Sequence, residues 1–162
     1  MVRAGLMMLL LLAAGCSFDE PSETPEASEE PRDLRVERIS FDAPGQGPQR
    51  PRAVAAPSAA ALSGVIGAHV PDSGSGTYLA AYWGEKPTGG YSMSVRSARL
   101  EGNRVTVRLA LKEPPRDAIL TQALTYPYAV AVIRGLSPEG KDFSIVDENG
   151  RELGWPVRRV GG

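Results

Sequence analysis

Residues 91–112, YSMSVRSARLEGNRVTVRLALK, constrain the fold more than any other part of the chain. Val105, Val107, Leu109 and Leu111 alternate with Thr106, Arg108 and Lys112. Successive strand side chains point to opposite faces, so this period of two predicts a strand with one buried face and one solvated face. Gly102-Asn103 precedes it and signals a tight hairpin. The upstream limb does not keep one parity. Tyr91, Met93 and Val95 share a face, whereas Ala98 and Leu100 fall on the other. One extra residue near Arg96-Ser97, a β-bulge, restores the register.

Further strands are expected on either side. Residues 34–41, LRVERISF, read as a first strand and residues 77–83, TYLAAYW, as another. Residues 128–133, YAVAVI, are apolar on both faces, which suits a central strand. Residues 143–153 predict a last hairpin turning at Asn149-Gly150. Pro57-Ser58 marks a helix start, and Ala59, Leu62, Val65 and Ile66 follow at helical spacing, so a short helix is expected over 58–68. The Pro/Gly-rich stretches 42–52 and 71–76 read as a loop or second linker and a chain break. No internal repeat is evident. The expected class is α+β, dominated by antiparallel strands, with one short helix near the start of the domain.

The N-terminus has a different character. MVRAGLMMLLLLAAGC places Arg3 before an apolar run over 6–12, too short to span a bilayer, and then small residues. LLAAGC resembles a bacterial lipobox, although Leu is commoner where Ala13 stands. The resemblance implies cleavage before Cys16 and a thioether-linked diacylglycerol on that residue. Each buried CH₂ contributes about 0.8 kcal/mol, so two or three chains anchor a protein stably. Cys16 is the single cysteine; once acylated, it leaves none for a disulfide or a thiol nucleophile. Residues 17–33 carry seven acidic residues against Arg32 alone. Such a Glu-, Ser- and Pro-rich stretch buries too little apolar surface to offset chain entropy and reads as an extended, disordered tether. The expected organisation is a signal peptide at 1–15, acylated Cys16 with its tether at 16–33, and a β-rich domain at 34–162. The apolar share of 42% suffices for a core in that domain.

Candidate chemistry is sparse. GLSPEGKD (135–142) fits the opening of a phosphate-binding loop and follows an expected strand. Asp142 stands where a Ser or Thr would hold Mg²⁺, Pro138 lacks an N–H for the cradle, and the following pattern is a hairpin. A plain turn is the better reading. His69 is the single histidine, with no second His and no free Cys to complete a zinc site. No nucleophile elbow and no S-x-x-K motif occurs. No two acids are marked as a catalytic pair. DENG (147–150) lacks the further ligands of a calcium loop. Arg96, Arg99, Arg104, Arg108, Lys112 and Arg116 cluster around the hairpin, but residues 34–162 hold only 16 Lys and Arg against 12 Asp and Glu. A solvated outer face fits that modest excess better than a nucleic-acid face.

Residues 83–91, WGEKPTGGY, place Pro87 and Gly89-Gly90 between two aromatic residues. Pro87 fixes φ, and the glycines open backbone angles closed to other residues, so the stretch predicts a tight β connection. Taken with GNRVTVRLALKEPP and LTYPYAVAVI, it resembles the C-terminal domain family named after PrcB, a subunit of a bacterial surface protease complex. The residues that carry the resemblance are Trp83, Gly84, Lys86, Thr88, Gly89, Gly90 and Tyr91, then Gly102 and Asn103, then Pro127 and Tyr128. It covers about residues 77–136. It implies a non-enzymatic, membrane-attached protein, in some members one that stabilises a protease.

The expected function is that of an extracytoplasmic lipoprotein, on the periplasmic or cell-surface side, whose β-rich domain binds another protein without catalysis or cofactor. Its expected contact residues are Trp83, Lys86, Thr88, Gly89, Gly90 and Tyr91, with Tyr126 and Tyr128, because aromatic anchors beside rigid turns suit binding hot spots. A secreted protease is the partner that the resemblance suggests. The alternative is a small-ligand or glycan binder that uses the same aromatics for stacking. No nucleic acid, nucleotide or metal is expected.

Overall fold

The computed structural model describes residues 30–40 and 45–161. The expected leader, Cys16, the acidic stretch up to residue 29, and Phe41 lie outside the described residues.

Among the described residues, nine strands and one helix form three layers. β1 (Arg32–Leu34), β5 (Ser92–Glu101), β6 (Arg104–Lys112) and β8 (Asp142–Val146) make a four-stranded sheet in the order β1-β5-β6-β8. β2 (Val36–Ile39), β7 (Tyr128–Ile133), β4 (Thr77–Tyr82), β3 (Arg52–Ala56) and β9 (Val157–Arg159) make a five-stranded sheet in the order β2-β7-β4-β3-β9. The inner faces of the two sheets share one core, in which Leu79, Val107, Leu109, Ile133 and Ile145 are buried. Each such side chain gains about 1.5–3 kcal/mol from leaving water. The outer face of the five-stranded sheet is covered by α1 (Ala59–Ile66), where Leu62 packs with Tyr78, Val54 and Val132 in a second core. A sheet buried on both faces explains why every residue of β4 is buried and why β7 reads apolar throughout.

The central hairpin forms as its pattern predicts. Glu101 pairs with Arg104 around a two-residue turn, and the register shifts between Val95 and Ser97, where the parity of the apolar residues changes. Val105, Val107 and Leu109 are buried, Leu111 is half-buried, and Arg96, Arg99, Arg104, Arg108, Lys112 and Arg116 are all exposed. The helix also follows its signals. The Ser58 side chain accepts a hydrogen bond from the Ala61 N–H at 3.1 Å, and Gly67, with φ of 70°, closes the C-terminus by donating to the Ser63 carbonyl at 3.0 Å.

Three expectations need correction. The first strand is two short strands that change sheet at Arg35, and it begins at Arg32 within the stretch read as tether. Arg32 and Asp33 are ordered there by pairing with Leu100 and Arg99. The loop expected over 42–52 ends one residue early, because Arg52 opens β3, which the sequence does not announce. RAVAA is short, rich in alanine and buried on both faces, so no alternation survives. Antiparallel pairs dominate both sheets, as expected, with β9 parallel to β3 and β8 parallel to β6. Finally, the last hairpin is reduced to one bridge, Val146 with Glu152, before the chain crosses to β9. Asp147 holds its turn by accepting from the N–H groups of Asn149 and Arg151, both at 2.9 Å. Residues 135–142 form a turn that leads into β8, and His69 lies exposed.

Candidate functional site

The segment after β4 is built by backbone pairing to a distant stretch of chain. Trp83 N–H donates to the Pro127 carbonyl at 2.9 Å. Lys86 and Thr125 exchange both main-chain bonds, at 2.8 and 2.9 Å. Gly89 N–H reaches the Thr121 carbonyl at 3.1 Å, and the Thr125 hydroxyl donates to the Thr88 carbonyl at 2.8 Å. On the other side Glu85 N–H donates to the Gln49 carbonyl at 3.1 Å. The loop is thus pinned on both flanks rather than left as a mobile turn.

Its side chains converge on one aromatic corner. Trp83 and Tyr91 meet edge to face, with ring centroids 5.6 Å apart and planes at 82°. That geometry aims the electropositive edge of one ring at the face of the other. The Lys86 ammonium lies 4.5 Å from the Trp83 ring centroid and 5.5 Å from that of Tyr91. Such cation–π contacts contribute about 0.5–1 kcal/mol at exposed sites. Tyr126 joins from across the loop, where its hydroxyl donates to Glu85 Oε2 at 2.8 Å. This bond to a carboxylate pushes the Tyr126 hydroxyl pKa above the usual tyrosine value, because losing the proton would set two anions together. Tyr128 stands one strand over, with its ring 6.5 Å from that of Tyr82. An open groove of about 320 Å³ runs beside this corner, lined by Tyr91, Met93, Thr125, Tyr126 and Tyr128 among others.

The two glycines do different work. Gly90 has φ of 87°, in the region that disfavours other residues, and a Cβ there would lie 2.8 Å from Pro114 Cβ. Gly89 has no positive φ, and the nearest atom to a Cβ on it is 3.9 Å away. The expectation that both glycines are required by backbone angle therefore holds for Gly90 alone.

Several residues of the site are invisible to pattern reading. Glu85, Thr121 and Thr125 enter through pairing between segments about forty residues apart, which no local spacing records. Ile119 is 104% exposed and Leu124 60% exposed, and both lie in the connection between β6 and β7 that pins the loop. Large apolar side chains in a long irregular connection were the one available signal. Among the described residues, no three His, Cys, Asp or Glu side chains gather as metal ligands.

Trp83, its partner loop and the strands on both sides fall in one block of sequence. Residues 77–134 match the family model described as PrcB C-terminal. The PrcB C-terminal match starts at the first residue of β4 and ends one residue past β7. It contains the whole aromatic corner, the central hairpin and the connection bearing Ile119 and Leu124. No curated protein and no solved structure matches the chain.

Proposed function

We propose that the chain is a bacterial lipoprotein, held at the extracytoplasmic face of a membrane through Cys16, whose β-rich domain binds another protein and performs no catalysis. The PrcB C-terminal match suggests a protease complex as the setting for that partner. The observation that carries the reading is the pinned corner of Trp83, Lys86 and Tyr91, held by a connection in which Ile119 and Leu124 are exposed. A pinned aromatic and cationic anchor, on a loop paired with a connection that exposes apolar side chains, has the composition of an interface core, and rigidity lowers the ordering entropy lost on binding.

The glycan reading is weaker on one specific ground. Sugar stacking needs an open ring face, and Lys86 already lies over Trp83. The test is capture of the full chain from detergent-solubilised membranes after photocrosslinking from position 119. Crosslinks to one defined protein, lost in a Lys86→Ala, Tyr91→Ala double variant that keeps its thermal midpoint, support the proposal. Crosslinks indifferent to those substitutions would remove the corner from the interface. Thermal stabilisation by saccharides without any protein crosslink would favour the alternative.

A further inference from the structure

The register of β3 and β9 gathers two arginines on one face of the five-stranded sheet. Ala53 pairs with Val157 and Val54 with Arg158 in a parallel ladder. Residues paired across a ladder point the same way, and side chains alternate along each strand. Arg52, Val54 and Arg158 therefore share a face, with the two arginines as diagonal neighbours. Val54 belongs to the core beneath α1, so this is the face that the helix covers. With eight residues α1 spans only about 12 Å, and its last residues, Val65 and Ile66, stop beside the arginines. Like charges brought together in this way repel, and an anion between them relieves the repulsion.

A cavity of about 130 Å³ lies where the helix stops. Val54, Val65, Ile66 and Pro156 form its apolar wall, and Arg52 and Arg158 line it as well. Arg52, Val65 and Ile66 continue into a groove of about 240 Å³ that Tyr82 also lines, so Arg52 stands between the two depressions. Among the described residues, no hydrogen bond or ion pair engages either guanidinium. Tyr82 is 6% exposed, and its hydroxyl makes no hydrogen bond among the described residues. No fully buried side-chain oxygen or nitrogen is left unpaired among them, so this hydroxyl is reached from outside, through the groove that Tyr82 lines. Burial raises the Tyr82 pKa above the usual tyrosine value, and the nearby Arg52 charge works the other way. The hydroxyl stays a neutral donor that shares the groove with the Arg52 cation.

Two guanidiniums and a phenol O–H are donors in need of an acceptor, and the guanidinium fork matches a carboxylate. The apolar wall selects further. A water takes about 30 Å³ of liquid volume, so the cavity has room for about four, the bulk of one short aliphatic side chain. The acyl chain of a lipid is too long for that space, and a bare inorganic anion leaves the walls without contact. A carboxylate and an aliphatic side chain carried on one carbon atom describe the last residue of a polypeptide.

We propose that this cavity holds the C-terminus of a partner chain that ends in an aliphatic residue. The terminal carboxylate lies between Arg52 and Arg158, and the last side chain packs on Val65 and Ile66. The preceding main chain runs along the groove, where a carbonyl accepts from the Tyr82 hydroxyl. The site rests on the protein-binding reading for the source of its ligand, and it adds a second contact to the aromatic corner.

The test uses the full chain in detergent and fluorescence anisotropy of a short labelled glycine-serine peptide that ends in leucine. The peptide with a free carboxylate should bind, and amidation of its terminus should weaken binding at least about tenfold, because hydrogen bonds to a charged group are the strong ones. Ending the peptide in glycine should cost at least about tenfold as well, since the cavity walls then gain no contact. Arg52→Gln and Arg158→Gln should each weaken the free-acid peptide about tenfold and barely change the amidated one. Both side chains are exposed, so the thermal midpoints should stay with the parent. Tyr82→Phe should weaken binding about two- to tenfold, the range of one neutral hydrogen bond. Inorganic phosphate should displace the peptide no better than chloride at equal ionic strength. Equal binding of the free and amidated peptides, binding of neither, or selective displacement by phosphate would overturn the site. A partner crosslinked from position 119 while no peptide binds would leave the protein-binding reading standing and remove only this cavity. Peptide binding without any crosslink would keep the cavity and remove the aromatic corner from the interface.

Discussion

At the scale of single residues, the adjacent glycines of the loop give the sharpest contrast. A residue other than glycine in the left-handed region loses roughly 1–2 kcal/mol through its Cβ alone. Gly90 adds to that a contact with Pro114 too short for a real Cβ. Gly90→Ala is therefore expected to destabilise the domain by about 2 kcal/mol or more, read as a lower midpoint in chemical denaturation. Gly89→Ala meets ordinary space and an ordinary backbone angle, so its midpoint should stay within about 0.5 kcal/mol of the parent. Equal effects at the two sites would mean that the loop is held differently from the pairing with Thr121 and Thr125 described above. Motif reading selects both glycines because sequence shows the residue type and not its φ.

At the scale of elements, pairing and packing decided what was legible. The hairpin of β5 and β6 is readable because one face is buried and one solvated, so the apolar period survives, bulge included. β3 is not, because burial of both faces with alanine erases the period. The Trp83–Tyr91 stretch could be chosen from its aromatics, whereas Thr125 and Glu85 could not, since their roles arise when residues 85–89 pair with 121–126. The hairpin core gives a direct check: Leu109→Ala should lower stability by about 2–5 kcal/mol, because Leu109 is fully buried between the sheets. Electrostatics ties the elements at a second place. Arg134, at the end of β7, bonds the Glu37 carboxylate and the carbonyls of Ser73 and Ser75, so β2, β7 and the loop before β4 share one guanidinium. Glu37 is held below the usual glutamate pKa chiefly by its hydrogen bond from Arg134. Asp72 is lowered by the Gly74 N–H and the Tyr78 hydroxyl, and Asp147 by the N–H groups of its own turn. Each carboxylate binds its proton less tightly folded than unfolded. The stability they contribute is present above the unfolded values near pH 4 and is lost as pH falls through the lower folded values. Thermal midpoints should hold down to about pH 5 and then fall on further acidification, and Arg134→Gln should flatten the part of that fall due to Glu37. A midpoint that does not change between pH 5 and pH 2 would contradict the arrangement.

At the scale of the whole molecule, the charge distribution separates two modes of membrane attachment. Residues 17–33 are strongly acidic, and the positive excess of residues 34–162 is small. An anionic bilayer surface repels the first and holds the second weakly, at about 1 kcal/mol per basic residue placed near it and less as salt rises. In the proposed mode, attachment comes instead from acyl chains at Cys16, whose transfer energy of about 0.8 kcal/mol per CH₂ is not screened by salt. The two described cores draw on residues from Leu34 onward, so losing the anchor should leave the domain intact. Cys16→Ala should move the protein from the membrane fraction to the soluble fraction, or stall it as an uncleaved precursor. In either case the thermal midpoint of the domain should equal that of the parent in detergent. The parent should stay with the membranes through a wash in 1 M salt, where the screening length falls to about 3 Å, and leave only with detergent. Release by salt alone would mean that the basic face of the domain, and not an acyl group, makes the attachment. Mass spectrometry of the N-terminal peptide gives an independent reading, since an unmodified thiol at Cys16 is incompatible with the anchor.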